Sequence, residues 1–365
     1  MHKTTWVELS SEALRHNANI VRRLAPKAAI LAMVKANGYG HGASWVAECL
    51  HQQVDGFAVA RLSEAQQLRA KLTQKHIQAR IVQLGTAVDA AVLQTCSAQQ
   101  LDLIIHDLES AKLLAASALP QPITVWLKMN IGMNRLGMSA TEFTQAHQLL
   151  SCQSHIADIH HMSHFSDAED TDPSLTAQQS LRLSELSASL STARHYPLSM
   201  ANSAAIIAHP NCHYDWVRPG IMLYGDDPTQ RLSAANALKP VMTFKAKVLA
   251  VRGVDASDGV GYNRRWRAKS NARIATVAAG YADGYPRHAP DGTPVLVNGL
   301  RAKVAGRVSM DLMTIDVSQL PQTAVGDEVT LWGEGLPAAE VGSHCGTISY
   351  ELFTRITDRV ERVYF

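Results

Sequence analysis

The sequence has no apolar run approaching the roughly 20 residues that span a bilayer. Its start, MHKTTWVELS, lacks the apolar core of a signal peptide, so a cytoplasmic protein is expected. The five cysteines (Cys49, Cys96, Cys152, Cys212 and Cys345) are scattered, with no CxxC or other metal-like spacing. Reduced thiols are therefore expected, not a disulfide framework or a structural zinc. There is no excess of charge of either sign. The 34 Lys and Arg residues stand against 32 Asp and Glu, a net charge of +2, with no long like-charge run. That balance gives no footing for nucleic acid or a membrane surface as partner.

What is present is an alternation. Apolar, β-branched runs recur at 28–34, 56–60, 80–85, 101–107, 122–129, 156–165, 197–204 and 215–225, separated by amphipathic helical patterns. Eight such units in roughly 230 residues predict a parallel (β/α)8 barrel; a doubly wound sheet is the alternative. Past residue 230 the helical patterns fade. Strand-like pieces such as VMTFKAKVLAVRGV and PVLVNGLRAKV follow, punctuated by NG and DG. They predict a mainly antiparallel β domain. The expected domains are 1–230 and 231–365, with the boundary in the polar loop 226–240.

Barrel enzymes build their sites from the C-terminal ends of the strands. Here those ends carry Lys35, Lys128 with nearby Arg135, His161, Ser163 and His164, Asn202 and Ser203, and Arg218 with Gly220. The set is cationic and poor in carboxylates. It does not suit a metal or the two acids of a glycosidase; it suits an anion, notably a phosphate. Lys35 ends an apolar run, AAILAMVK, just before three glycines in five positions. An ammonium there is costly unless paired or shifted in pKa. A working lysine beside a phosphate site points to pyridoxal phosphate, whose aldehyde an amine can hold. Taken singly, each residue has a plainer reading: Lys35 as a snorkelling strand end, His164 as a core histidine, Arg218 as an ion-pair partner. Their convergence on one rim is what favours chemistry.

Nine motifs, in order along nearly the whole chain, resemble those of alanine racemases: AMVKANGYGHG, MNRLGM, HMSHFSDAED, MANSAA, VRPGIMLYG, GVGYNRRW, GYADGYPR, GRVSMD and GTISYEL. The resemblance implies a pyridoxal 5'-phosphate enzyme acting on alanine. It also implies a head-to-tail homodimer in which each β domain completes the other subunit's site. Lys35 would carry the cofactor. Tyr39, Ser203, Gly220, Ile221 and Tyr350 would hold the phosphate, with Asn202 beside them. Arg218 would face the pyridine nitrogen, with His164 in its hydrogen-bond network. Arg135 would approach the cofactor's O3′ and the substrate carboxylate, to which Met310 would offer a backbone donor. Tyr262 would arrive from the partner as the second acid–base group, opposite Lys35. Tyr281 and Tyr350 would narrow the entrance. The lysine matching Lys128 is often carbamylated in the family, and a carbamate is expected here.

Two departures stand out. The family usually has an aspartate and a small hydroxyl residue where Asn130-Ile131 stand, and many members have cysteine at Ser309. Three rival readings remain. A decarboxylase of the same barrel class would bring a catalytic cysteine loop. A broader-specificity racemase is often exported. A non-enzymatic cofactor carrier would have the barrel alone.

Overall fold

The computed structural model describes residues 3–85, 87–191 and 194–365. The chain opens with β1 (Thr5–Leu9). The next eight strands are β2 (Ala29–Met33), β3 (Gly56–Val59), β4 (Ile81–Gln83), β5 (Asp102–Ile105), β6 (Ile123–Lys128), β7 (Ile156–Met162), β8 (Leu198–Ser199) and β9 (Trp216–Val217). They pair in parallel, each with the next, and β2 also pairs with β9, so the barrel closes. The expected closed barrel is the one observed. Every predicted apolar run contains one of these strands.

Capped helices fill the crossovers. Ser10 Oγ accepts the Ala13 N–H at the start of Ser11–Leu24. Ser139 and Glu142 form a reciprocal capping box on Ala140–Ser151. Such caps satisfy backbone donors that a helix start leaves without partners.

The second layer is an eight-stranded sheet. It comprises β1, β10 (Met242–Val254), β13 (Ala272–Val277), β14 (Pro294–Val297), β15 (Leu300–Val304), β16 (Met313–Asp316), β17 (Glu328–Trp332) and β18 (Glu361–Tyr364); a two-stranded ribbon, β11 (Gly259–Val260) and β12 (Trp266–Arg267), stands apart. Pairing is antiparallel except between β1 and β18. The Asn298-Gly299 turn joins β14 to β15 with both residues at positive φ, 48° and 83°, as a tight hairpin requires.

Sequence reading did not separate β1 from the barrel half. Yet β1 pairs with β10 residue for residue from Thr5↔Ala246 to Leu9↔Met242. The start of the chain is thus built into the second sheet, and one continuous apolar core runs from the barrel into that sheet.

Candidate active site

The open end of the barrel holds a cavity of about 310 Å³. Its wall includes Lys35, Tyr39, Lys128, Arg135, His164, Asn202, Ser203, Arg218, Gly220, Ile221 and Tyr350. Met33, Ala60, Leu84, Gly85, Ile104, Leu136 and Met162 complete it. These are mostly apolar residues that nothing in a single sequence marks out.

Lys35 stands one residue beyond the end of β2, after Val34, and begins a turn of unusual hand. Ala36, Asn37, Gly38 and Tyr39 all have positive φ, between 51° and 62°. Each non-glycine residue in that region costs roughly 1–2 kcal/mol, so the surroundings must hold the turn. Glu64 accepts the Ala36 N–H at 2.7 Å through one oxygen and the Ala60 and Arg61 N–H groups through the other. Asn37 Oδ1 accepts from Ala43 N. His41, fully buried, donates from Nδ1 to the Tyr39 carbonyl at 2.9 Å; burial pulls its pKa down to about 4, so the ring is neutral. Gly40 lies so close to the Phe353 carbonyl that a Cβ would come within 2.1 Å of it. Sequence reasoning missed Glu64 and His41; for His41 the only signal was the unusual GYGHG run.

Burial lowers the pKa of Lys35, and the Arg135 and Arg218 charges lower it further against the pull of Glu64. Lys128 is brought down to about 8 by burial and then by Arg218, Arg135 and Lys35. Four cations thus converge on a space of a few residues' width.

Arg218 is 4% exposed. It donates to Ser199 Oγ at 2.6 Å, to the Ser163 carbonyl at 2.6 Å and to the Met200 carbonyl at 3.2 Å. Its Nη2 lies 3.3 Å from His164 Nδ1. Burial brings the guanidinium down to about 10, still a cation at neutral pH. Burial and the Arg218 charge hold His164 well below the usual histidine range. A neutral ring accepting at Nδ1 carries its proton on Nε2.

The far wall is made by the starts of two short helical turns, Ser203–Ala208 and Ile221–Tyr224. Ser203 Oγ accepts the Gly220 N–H at 2.9 Å and the Met222 N–H at 3.4 Å, locking one turn to the other. A Cβ on Gly220 would sit 2.6 Å from the Tyr39 hydroxyl, so glycine leaves a notch there. The Tyr39 ring stacks on Tyr224 at 4.8 Å and lies 5.9 Å from Tyr350. Burial pushes the Tyr39 and Tyr350 phenols upward. Both are therefore neutral hydroxyls able to donate to an anion.

The Asn130 departure has a local structural role. Its Oδ1 accepts the Gly132 and Asn134 N–H groups and its Nδ2 donates to Asn134 Oδ1. It shapes the loop that carries Arg135 and brings no negative charge to it. Ile131 is buried.

The remaining histidines of the HIADIHHMSH segment scatter. His160 packs on Trp126 inside the barrel, His161 bridges His147 and Ser187, and His155 meets the Leu114 carbonyl.

Tyr262, Tyr281 and Met310 do not line the cavity of their own chain. They are 67%, 36% and 53% exposed on the second unit. Tyr262 sits between β11 and β12. Tyr281 and Met310 lie on two turns zipped together by Tyr281 N–H to Ser309 O and Ala282 N–H to Met310 O.

Residues 9–228 match the alanine racemase N-terminal domain and residues 241–364 the alanine racemase C-terminal domain. The chain belongs to the alanine racemase family. The biosynthetic alanine racemase of Pseudomonas aeruginosa is 45% identical over 359 residues, 98% of each chain. The alanine racemase of Chromohalobacter salexigens is 43% identical over 367 residues, 100% of this chain and 98% of that one. The crystal structure of the Pseudomonas aeruginosa racemase superposes with a TM-score of 0.92 at 43% identity, over all of both chains. The Acinetobacter baumannii alanine racemase gives 0.90 at 32% identity, again over the whole of both. Alanine racemases are isomerases, and membership favours the racemase reading over the decarboxylase and carrier alternatives.

Proposed function

We propose that this protein interconverts L-alanine and D-alanine with pyridoxal 5'-phosphate, as a cytoplasmic homodimer with shared sites. The observation that carries the reading is Lys35. It is an amine of depressed pKa at the mouth of a barrel, with Arg218 and the Ser203–Gly220 turns in the same cavity.

The donor set fits the cofactor. The Ser203–Gly220 lock, the Gly220 notch and the neutral Tyr39 and Tyr350 hydroxyls suit a phosphate, with Asn202 and Ile221 beside them. Lys35 would take the aldehyde, Arg218 the ring nitrogen and Arg135 the ring oxygen O3′. When bound, the cofactor's ring withdraws electrons from the substrate Cα and makes its hydrogen acidic.

Racemisation then needs a proton taken from one face of Cα and one given to the other. A single base would mostly return the proton to the face it came from. Lys35 serves one face. Tyr262 of the partner subunit serves the other, which accounts for its exposure in a single chain. Each must act as a base in one direction, so a lysine of lowered pKa is what the chemistry requires. The backbone N–H of Met310 and the guanidinium of Arg135 hold the substrate carboxylate; Tyr281 and Tyr350 restrict the entrance to a small side chain.

Lys128 is carbamylated in this reading. A carbamate anion among Arg135, Arg218 and Lys35 relieves a cluster of like charges, and an amine near pKa 8 is neutral often enough to react. Residues 1–230 carry the cofactor and residues 231–365 complete the partner's site, with β1 reaching into the second sheet. The biosynthetic designation of the Pseudomonas relative favours D-alanine supply for the cell wall over alanine breakdown. The direct test is decay of the optical rotation of L-alanine to zero with protein and cofactor present. Persistent rotation would refute the reading.

A further inference from the structure

Arg359 lies outside the cavity. Its Nε is 3.0 Å from Asp283 Oδ1 and its Nη1 is 2.9 Å from Asp311 Oδ1. The two acids belong to different turns. Asp283 closes the Tyr281–Asp283 turn, and its other oxygen accepts the Gly280 N–H at 2.8 Å. Asp311 immediately follows Met310. One guanidinium therefore ties the turn that presents the Tyr281 ring to the turn that presents the Met310 backbone.

The rest of the contact is tight. A Cβ on Gly280 would come within 2.2 Å of the Met310 carbonyl. The segment bearing Arg359 also holds the first turn directly, with Thr357 Oγ1 donating to the Ala282 carbonyl at 2.8 Å. The Asp283 carboxyl is nearly enclosed, whereas Asp311 and Arg359 are about half exposed. The weak member of the brace is thus the Arg359–Asp311 link, the one that positions Met310.

We propose that Arg359 is a positioning residue: it spans Asp283 and Asp311 to set the Met310 N–H relative to the Tyr281 ring, and so governs capture of the alanine carboxylate in the partner's site. The proposal rests on the shared-site reading given above. A lysine cannot replace the arginine here. A single ammonium is a point charge, whereas the planar fork meets two acids at once.

The test compares Arg359→Gln, Arg359→Lys, Asp311→Asn and the Arg359→Gln/Asp311→Asn double variant as intact, cofactor-loaded protein. The alanine enantiomers have equal free energy, so kcat/KM must be the same in both directions for every variant. Loss of a contact made equally in ground and transition states raises KM and spares kcat. Each single variant should raise KM about 5-fold in both directions with kcat nearly unchanged. Arg359→Lys should resemble Arg359→Gln, and the double variant should be no worse than Arg359→Gln alone, since the link to Asp311 is already lost in it.

Amide hydrogen exchange across 280–284 and 309–312 reads the brace without turnover and should quicken in Arg359→Gln. Wild-type KM in Arg359→Lys, additive effects in the double variant, or unchanged exchange would each overturn the proposal. A wild-type protein that fails to racemise alanine would defeat the underlying reading, before any variant is compared.

Discussion

Arg218 Nη2 stands 3.3 Å from His164 Nδ1, and the pair settles the charge at the back of the cavity. The arginine stays cationic and the histidine stays neutral. A guanidinium facing the cofactor's ring nitrogen does not readily give up a proton. In the proposed holoenzyme the ring nitrogen would then remain unprotonated, which would make the ring a weaker electron sink and limit side reactions such as transamination. Arg218→Glu should increase the release of pyruvate from alanine, followed by a coupled pyruvate assay. An unchanged rate of pyruvate release would contradict the assignment.

Gly220 offers a sharper probe of the phosphate cradle. An alanine there would press its Cβ to 2.6 Å from the Tyr39 hydroxyl. The hydroxyl must move out of its place. Gly220→Ala should weaken equilibrium binding of pyridoxal phosphate to the apoprotein by about 10-fold, equivalent to about 1.4 kcal/mol. Circular dichroism of the apoprotein should be unchanged.

Lys128 makes a prediction with a sign. Unmodified, its folded pKa of about 8 lies below the ordinary 10.5. Between those values the unfolded chain binds the extra proton. Stability therefore rises with pH across that window, and below about pH 8 the buried ammonium carries a penalty on the order of 3 kcal/mol. In carbon dioxide-free buffer at pH 7, Lys128→Met should therefore melt higher than wild type. With bicarbonate the order should reverse, because the carbamate pairs with the surrounding cations. Racemase activity of the wild type should fall on removal of carbon dioxide and return with bicarbonate. Melting temperatures insensitive to bicarbonate would rule the carbamate out.

Substrate choice should follow the size of the site. Discrimination at the scale of one small group amounts to about 10–200-fold. Alanine should therefore be preferred over serine by a kcat/KM ratio in that range. Equal ratios for the two would favour a broader-specificity racemase.

The eight barrel strands were legible because buried parallel strands read as apolar runs between amphipathic helices, and Lys35 was legible because it breaks such a run. The strand β1 was not. Its residues, TWVEL, are short and precede a helix, so nothing local tells that their partner is β10, more than 200 residues on. Glu64 and His41 were also hidden. Each acts by holding backbone groups of the left-handed turn at Ala36–Tyr39, and sequence gives no sign of φ at a non-glycine residue. Arg359 was hidden for a similar reason: its meaning comes from two turns brought together only by folding. Arg218, by contrast, was marked by its place before Pro219 at a strand end, though its partners Ser199 and Ser163 were not singled out as such.

The central claim is that Lys35 and Tyr262 act on opposite faces of one substrate although they come from different subunits. The most direct measurement is the activity of a purified heterodimer of Lys35→Ala and Tyr262→Phe chains. Each parent homodimer should be inactive. In the heterodimer one site carries both substitutions and the other carries neither, so about half of the wild-type turnover per dimer should return. A verified heterodimer that stays as inactive as its parents would contradict the account.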